Sequence, residues 1–385
     1  MFRIMCDGQC IYDDTTANQR FRVSEPTLKL EDNAAGSLEF KALKDSAAYD
    51  IVVPFYSLVT VYRNGEELWF GRVASVETDY WEVKTVYCEG AYSFLNDHFC
   101  IESTRISNSD PKTCAKNFVS TVLGDYNSFL PQNDPRRIYL GTFDIDVNNI
   151  EYELPDGETR AVHKTSRDIQ YGQCYEYISS LVDEVKCHIK MRHGNDGKLY
   201  IDFLQDSSLW QLSPQRIEFG KNLLDITKKF DISSSITAVF PTGGDIEGSG
   251  EPSDKCLIDV GGGEPLRYIL QKPELVAKYG LIIEHVDFSN TKDTTQLLEW
   301  TQRYLDDKTQ EIVEYTAKAI DMFYYNQSDY PIDLYQTVKI YSRPHGLTDF
   351  SLGLKVKAVE LGLDNPSKCV YTLGNKSDSA ISSGV

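Results

Sequence analysis

The sequence lacks the short motifs that mark most zinc proteins and disulfide scaffolds. It contains no Cys-x-x-Cys pair and no His-Glu-x-x-His motif, and its nine cysteines are widely scattered. An odd number of cysteines without regular spacing does not define a disulfide framework. We therefore expect mostly buried, reduced thiols in a chain that folds in a reducing compartment. The cysteines are Cys6, Cys10, Cys88, Cys100, Cys114, Cys174, Cys187, Cys256 and Cys369.

Long hydrophobic runs are also missing. No stretch approaches the roughly 18 uninterrupted apolar residues that mark a membrane-spanning helix. The amino-terminal segment MFRIMCDG has no apolar core of the length that a secretory signal peptide requires. The sequence therefore predicts no membrane span and no export by the usual secretory route.

Positive charge is in short supply. The chain has 39 Lys and Arg against 58 Asp and Glu, which gives a formal net charge of −19. Proteins that hold nucleic acid gain affinity from Lys and Arg side chains that neutralise phosphates. The composition therefore disfavours binding to DNA or to an anionic membrane, although an acidic wall lets DNA pass without sticking. The simpler interpretation is that the charge keeps the protein soluble.

Aromatic residues, by contrast, are abundant, at 12% of 385 residues. They suit half-buried pleated surfaces and favour β-structure, and a chain of this length suggests roughly two to four compact units. Apolar and polar residues alternate over several short runs in 1–100, and Asn64-Gly65 between two runs predicts a tight β-hairpin. Residues 1–100 are therefore predicted to form a small antiparallel β-barrel or sandwich.

Residues 101–205 have a mixed pattern. Asp110-Pro111 is typical of a helix start, apolar residues follow at helical spacing, and Gly124 is the predicted helix end. A second helix is predicted over 172–184. Two strands follow, VKCHIKMR and KLYIDFL, with a glycine-containing turn between them. These elements predict a compact α+β domain.

Two later segments, 206–246 and 312–376, return to β-character. Each is too short to close a barrel alone, so we predict that together they form one second barrel. The fold class is then α+β and β-rich, with two tube-like antiparallel β-barrels, an α+β domain and a helical insertion in the second barrel. Residues 377–385 are predicted to be a frayed tail or linker.

The insertion, 247–311, separates the two halves of the predicted second barrel. It starts with an acidic, glycine-rich loop over 247–265. Pro273 is predicted to begin the first of two helices, and Asp293 with Gln296 resembles the capping box of the second.

Histidine and cysteine do not form a credible reactive pair. His188 and His193 flank a predicted strand end, and their spacing of five places them on opposite faces, which disfavours a shared metal. Cys187 and His188 are strand neighbours that point to opposite faces, so they do not suit a nucleophile and its base. A cysteine in the core is the simpler interpretation.

Glycine and carboxylate clusters give no stronger signal. Gly261-Gly262-Gly263 is not followed by Gly-Lys-Ser/Thr, so a flexible connector is favoured over a phosphate loop. The carboxylates lack the spacing of a calcium-binding loop, and any glycosidase pair among them would be arbitrary. We predict no catalytic, cofactor-binding or metal-binding residues and no cofactor. The carboxylates are Glu247, Glu251, Asp254, Asp259, Asp306, Asp307, Asp329 and Asp333.

Four stretches of sequence together carry a family resemblance. IEFGKNLLDITKKFDISSSITAVFPTGG at 217–244 has a strand ending in Gly, then Asn-Leu-Leu, a polar stretch and Thr-x-Val-x-Pro-x-Gly. The others are LWFGRVASVETDYWEVKTVYCEGAYSFLND at 68–97, KPELVAKYGLI at 272–282 and LGLDNPSKCVYTLGN at 361–375. Over about 20–376 the sequence resembles phage tail-tip hub proteins, the amino-terminal hub region of tail-associated lysins or prophage endopeptidase-tail proteins. The matching residues at 217–244 are Gly220, Asn222, Leu223, Leu224, Thr237, Val239, Pro241 and Gly243.

The resemblance implies a structural, non-enzymatic role. In such hubs the two barrels of one chain mimic two adjacent tail-tube subunits. Three chains make a pseudo-sixfold ring that adapts the sixfold tube to a threefold tip. The implied partners are two further copies of the chain, the distal tail protein ring, the tail tube, the tape measure protein and tail fibre or receptor-binding proteins. DNA would pass without specific binding, and the implied location is the distal tip of a virion tail assembled in the host bacterial cytoplasm.

Two other functions remain open at this point. Many relatives continue into a peptidoglycan-cutting or fibre domain, so a tail-associated peptidoglycan hydrolase, with its lytic domain absent from or diverged in this chain, is the main alternative. A carbohydrate-binding receptor module is the second, and it would need exposed stacking residues. The chain offers four tryptophans for that purpose, Trp69, Trp81, Trp210 and Trp300.

Overall fold

The structure is a computed structural model of the whole chain. It describes residues 2–101, 103–145, 147, 151–153, 159–161, 165–231, 235–245, 255–288, 293–309, 312–325, 330–348 and 353–375. The chain forms two compact units, each made of segments that are distant in sequence. Unit 1 comprises Met1–Val147, Lys164–Lys228 and Glu314–Gly374, and unit 2 comprises Asn148–His163, Lys229–Val313 and Asn375–Val385.

The first hundred residues supply eight strands and little helix. The predicted hairpin is confirmed, since Asn64 and Gly65 take positive φ angles of 53° and 88° between two antiparallel strands. The strands are β1 (Phe2–Cys6), β2 (Gln9–Asp13), β3 (Ser24–Glu31), β4 (Ser37–Ala42), β5 (Leu58–Arg63), β6 (Glu66–Thr78), β7 (Lys84–Gly90) and β8 (Phe99–Cys100). The helical segments are α1 (Ala48–Ile51) and the 3-10 turns Gln19–Phe21 and Ala91–Asn96.

The next hundred residues add two longer helices to short strands. The predicted turn at 194–197 does join an antiparallel pair, β15 and β16. The strands are β9 (Thr104–Ser107), β10 (Ile138–Asp144), β11 (Glu151–Glu153), β12 (Thr159–Ala161), β13 (Ser166–Ile169), β14 (Gly172–Gln173), β15 (His188–His193) and β16 (Leu199–Leu204). The helices are α2 (Pro111–Ser128) and α3 (Cys174–Val185).

Helix α2 begins where the sequence predicts and ends later. The Asp110 carboxylate accepts a hydrogen bond from the Thr113 amide at 3.0 Å and caps the helix. The predicted end at Gly124 is wrong, because the helix continues to Ser128. The Asn127 side chain explains the extension, since it donates to the Ile138 carbonyl at 2.7 Å and accepts from the Ile138 amide at 3.0 Å. The last turn of α2 is thereby fixed to β10.

Among the described residues that remain, there are nine strands and three helices. The strands are β17 (Gln211–Glu218), β18 (Leu223–Asp231), β19 (Ala238–Gly243), β20 (Leu270–Gln271), β21 (Ile283–Phe288), β22 (Ile312–Ala319), β23 (Gln336–Tyr341), β24 (Gly353–Gly362) and β25 (Val370–Asn375). The helices are α4 (Asp206–Leu209), α5 (Pro273–Tyr279) and α6 (Thr294–Lys308), with 3-10 turns at Leu266–Tyr268, Met322–Tyr324, Arg343–His345 and Pro366–Lys368.

One large sheet organises unit 1. Its thirteen described strands follow the order β18-β22-β25-β24-β3-β4-β7-β6-β5-β1-β2, with β23 pairing β24 and β17 pairing β23. Strand β24 pairs with β25 and also with β3, so the beginning and the end of the chain share one sheet. The predicted fold class, α+β and β-rich, is confirmed.

Two details of the sheets differ from simple antiparallel barrels. Strands β17 and β23 run parallel, which the long connection between them permits. Strand β19, within the segment 206–246, pairs with β20 and β21 in a separate three-stranded sheet of unit 2. The division of the chain into barrels and domains stays a prediction.

Unit 2 is built around a small apolar core. Helix α5 begins at Pro273, as predicted, and the Asp293 carboxylate caps α6 by accepting from the Gln296 amide at 2.9 Å. The predicted loop 247–265 lies partly outside the described residues, and the predicted tail 377–385 lies entirely outside them. The core residues are Ile236, Val239, Cys256, Ile258, Leu270, Leu297 and Leu305.

The cysteines match the expectation of mostly buried thiols. All nine cysteines are free thiols, and every one except Cys10 is buried. Within the described residues, no helix combines the length and the apolar character needed to cross a membrane.

Candidate functional site: sheet ends and a histidine cluster

The two candidate histidines have separate partners. Both lie on β15, but His193 Nδ1 is 2.8 Å from Glu67 Oε1, whereas His188 contacts Asp32 and Asp206. These two aspartates lie at opposite ring nitrogens of His188, so the three side chains do not converge on one point. Among the described residues, no group of three or more His, Cys, Asp or Glu is arranged to hold a metal ion.

Cys187 has a structural position. Burial raises the pKa of its thiol to about 12, so the nucleophilic thiolate is scarce at neutral pH. Its carbonyl accepts a hydrogen bond from the Asn33 side chain at 3.0 Å. The residue therefore serves the attachment of β15 to the β3–β4 turn.

The glycine run and the described carboxylates also have local structural partners. Asp259 accepts from the Gly261 amide at 3.1 Å and forms an ion pair with Arg267. Asp306 pairs with a lysine and Asp333 with both terminal nitrogens of an arginine. Glu247, Glu251, Asp254, Asp329 and the side chain of Asp307 lie outside the described residues.

The large sheet offers terminal strands to which another strand can add. Among its described strands, β2 and β18 end the main order, and β17 ends the branch through β23. Terminal strands present backbone N–H and C=O groups that can pair with a further strand. Asp13 and Asp14 lie where β2 ends, and Asp13 forms an ion pair with Arg3. Strand β18 carries the exposed residues Leu224, Asp225 and Lys228.

A second surface feature is the aromatic tip of the β6–β7 hairpin. Tyr80 and Trp81 are 88% and 78% exposed, and their rings meet edge to face with centroids 5.0 Å apart. The Asp79 carboxylate fixes the turn by accepting from the Trp81 amide at 2.9 Å and the Val83 amide at 2.8 Å. Ordered, exposed aromatic side chains are typical of protein interfaces.

The third feature is a cluster of charged and aromatic side chains centred on His188, which we call the His188 cluster. It consists of Asp32, His188, Asp206, Trp210, Tyr335, Lys355 and Lys357. These residues come from the β3–β4 turn, β15, α4 and the residue after it, the segment before β23, and β24, all within unit 1. The cluster thus ties together segments that are far apart in sequence.

The geometry of the cluster is tight around the imidazole ring. His188 Nδ1 lies 2.7 Å from Asp32 Oδ1, and Nε2 lies 2.6 Å from Asp206 Oδ1. His188 is 6% exposed. Burial would lower the pKa of His188, but the hydrogen bonds that the ring donates to Asp206 and Asp32 outweigh it and raise the pKa above its ordinary value.

The surroundings keep Asp206 ionised. The hydrogen bond from His188 lowers the pKa of the Asp206 carboxyl against the opposing effect of burial. Trp210 Nε1 donates to its Oδ1 at 2.9 Å, and Lys355 Nζ lies 2.7 Å from its Oδ2. Both carboxylate oxygens of Asp206 therefore face donors.

The backbone on either side of His188 is held as well. Asn33 donates to the Cys187 carbonyl and accepts from the Ile189 amide at 2.8 Å. The Tyr335 hydroxyl donates to the Ile189 carbonyl at 2.8 Å. The sequence analysis did not predict this cluster, because face and spacing arguments apply only to residues close in sequence. Asp32 and His188 are more than 150 residues apart.

Comparison with solved structures identifies the fold. Three crystal structures cover nearly the full length of both chains. The prophage tail protein gp18 from Listeria monocytogenes EGD-e has a TM-score of 0.53 and 15% identity over 98% of this chain and 95% of its own. The prophage MuSo2 43 kDa tail protein from Shewanella oneidensis has a TM-score of 0.59 and 11% identity over 97% and 98%. A tail protein from Neisseria meningitidis MC58 has a TM-score of 0.59 and 12% identity over 98% and 97%.

These similarities place the chain among proteins with a phage tail protein fold. No curated protein matches the sequence. The model of the prophage endopeptidase tail family matches residues 212–383. Residues 212–383 are thus similar to this family of phage tail proteins, and the family predicted from the sequence resemblance is confirmed.

Proposed function

We propose that the protein is the hub of a phage tail tip, a trimeric ring that closes the tail tube and adapts it from sixfold to threefold symmetry. The observation that carries the proposal is the family match over residues 212–383, together with a tail protein fold that spans nearly the whole chain. The ring would serve as a conduit for the tape measure protein and DNA at infection. The proposed location is the distal tip of the virion tail, assembled in the host cytoplasm.

Two barrels per chain are part of this proposal. The first would comprise 1–100, and the second 206–246 plus 312–376, with 101–205 as an α+β domain and 247–311 as the insertion. The pairing of β24 with β3 supports it, because it joins strands from both proposed barrels edge to edge. A ring would repeat that kind of contact between copies.

The ends of the large sheet suggest how copies meet. We propose that β18 of one copy adds to β2 of the next, which is a head-to-tail contact that closes on itself in a ring. At this contact Lys228 would contribute positive charge from the β18 end, and Asp14 would contribute negative charge from the β2 end. Lysines on both partners would disfavour two β18 edges pairing with each other.

The partners follow from the position of a hub. They are the distal tail protein ring and tail tube above it, the tape measure protein within it, and tail fibre or receptor-binding proteins around it. With a net charge of −19 per chain, acidic side chains on the channel wall would keep passing DNA from sticking. A channel wall dominated by Lys and Arg in an imaged ring would contradict this part.

The oligomeric state tests the proposal directly. We expect light scattering to give a trimer and electron microscopy to show a ring with a central channel. Lys228→Glu should shift the trimer towards monomer by placing like charges at the contact. Lys318→Glu is the matched control, because Lys318 is exposed on β22, the neighbouring strand within the sheet. A stable monomer at all concentrations, or equal effects of both variants, would contradict the ring.

The alternative of a peptidoglycan hydrolase is tested separately. A structural hub should not cleave purified cell wall. Cleavage by this chain that disappears when one acid or one histidine is replaced would favour the hydrolase.

A further inference from the structure

His188 lies between two carboxylates that both need a donor. An ionised carboxylate only accepts hydrogen bonds, and a neutral imidazole carries one N–H. The contacts of 2.7 Å to Asp32 and 2.6 Å to Asp206 therefore require a proton on each ring nitrogen. Trp210 Nε1 and Lys355 Nζ also donate to Asp206, and these donors favour its ionised form over a neutral carboxyl that would donate to His188. The arrangement fits an imidazolium.

Two aspartates and two lysines surround this imidazolium. Lys355 Nζ lies 2.7 Å from Asp206 Oδ2, and Lys357 Nζ lies 3.5 Å from Asp32 Oδ2. The other groups packed on the ring are Trp210 and Tyr335, both edge to face with His188. Burial raises the pKa of Tyr335 far above neutrality, so its hydroxyl stays protonated.

The position of the cluster gives the proton a structural role. His188 is the first residue of β15, and its two partners lie on the β3–β4 turn and on α4. Loss of the proton would leave a ring nitrogen lone pair against a carboxylate oxygen on one of these two sides. The neighbouring backbone bonds of Asn33 and Tyr335 to Ile189 would then hold β15 without its ionic support.

We propose that His188 is a protonation-dependent clamp that fixes β15 between the β3–β4 turn and α4 while its imidazole is charged, and loosens this junction when the proton leaves. The folded-state pKa is raised above the ordinary 6.5. The stabilisation is therefore fully present below about pH 6.5 and is lost as pH rises through the raised value. The clamp is independent of whether the protein forms a trimer.

Histidine titration is the direct test. In the full-length protein labelled with ¹³C at its six histidines, the His188 resonance is the one missing from His188→Gln. We expect it to titrate with a midpoint above pH 6.5, and we expect the thermal unfolding midpoint of the wild type to fall over the same range. His188→Gln should lack that part of the pH dependence. His193→Gln is the matched control on the same strand and should keep it.

A second variant keeps the test valid if His188→Gln does not fold. Asp206→Asn retains the shape of the side chain and removes one negative charge, so it should shift the His188 midpoint to lower pH. A His188 midpoint at or below 6.5 would overturn the proposal. So would a wild-type pH dependence of unfolding that persists unchanged in His188→Gln or Asp206→Asn.

Discussion

The His188 cluster of unit 1 and the apolar core of unit 2 hold chain segments together by opposite means. The cluster uses short hydrogen bonds and ion pairs, which are directional and form only when the side chains are in one relative arrangement. The unit 2 core uses seven buried apolar residues that attract without direction. Apolar burial contributes most of the stability, whereas a polar cluster mainly decides which segments meet, because leaving one member unpaired is costly. Variants that separate these two contributions test the difference.

The largest expected effect is in the unit 2 core. Leu297 is fully buried there, so Leu297→Ala should lower the free energy of unfolding by about 3 kcal/mol through lost apolar contact and a residual cavity. Denaturant unfolding measures it. Leu298→Ala, at the rim of the same cluster, is the control and should cost less. Equal losses would mean that the core is not where unit 2 gains its stability.

A smaller effect is expected from the attachment of β15. Asn33→Ala removes the partners of the Cys187 carbonyl and the Ile189 amide. Leaving buried backbone groups unpaired should cost about 2 kcal/mol, and the Ile189 amide should exchange its hydrogen faster. Asn195→Ala in the exposed turn after β15 is the control, expected within about 0.5 kcal/mol of wild type. Unchanged exchange at Ile189 would show that the side chain of Asn33 is dispensable.

The smallest effect on stability is expected at the hairpin tip. Tyr80 and Trp81 are mostly exposed, so replacing both with Ala should change the free energy of unfolding by less than about 0.5 kcal/mol. If the tip is an interface, the double variant should still fail to incorporate into tail particles. Normal incorporation would remove the tip from the list of contact surfaces, and a large loss of stability would show that it packs within the chain.

Local signals predicted local structure well. Asn64-Gly65 suits the positive φ angles of a tight hairpin, and Asp110 and Asp293 cap their helices through carboxylates three residues from the amides they bind. The helix end predicted at Gly124 was wrong because Asn127, three residues later, bonds to β10, a contact that the local pattern does not contain. A glycine near the end of an apolar stripe predicts the end of a helix only when no tertiary contact fixes the residues after it.

Long-range pairing was beyond the sequence pattern. The order β25-β24-β3 depends on register between strands more than 300 residues apart, and alternation alone does not choose a strand's neighbour. The same holds for the His188 cluster, where Asp32 and His188 look like ordinary polar residues until the fold brings them together. The family resemblance succeeded because it used the order of four motifs and not the chemistry of any one of them.

The pairing of β24 with β3 has a consequence for synthesis. Leu30 on β3 pairs with Val359 on β24, so β3 leaves the ribosome roughly 330 residues before its partner exists. At about 5–20 residues per second, the β3 edge waits on the order of 15–65 seconds without its final neighbour. During that interval the β3 edge of one nascent chain can pair with a strand of a second nascent chain on a neighbouring ribosome of the same mRNA. A chaperone bound to the β3 edge would cover it during this interval. Translation of the second half of the gene without slow codons would shorten the interval.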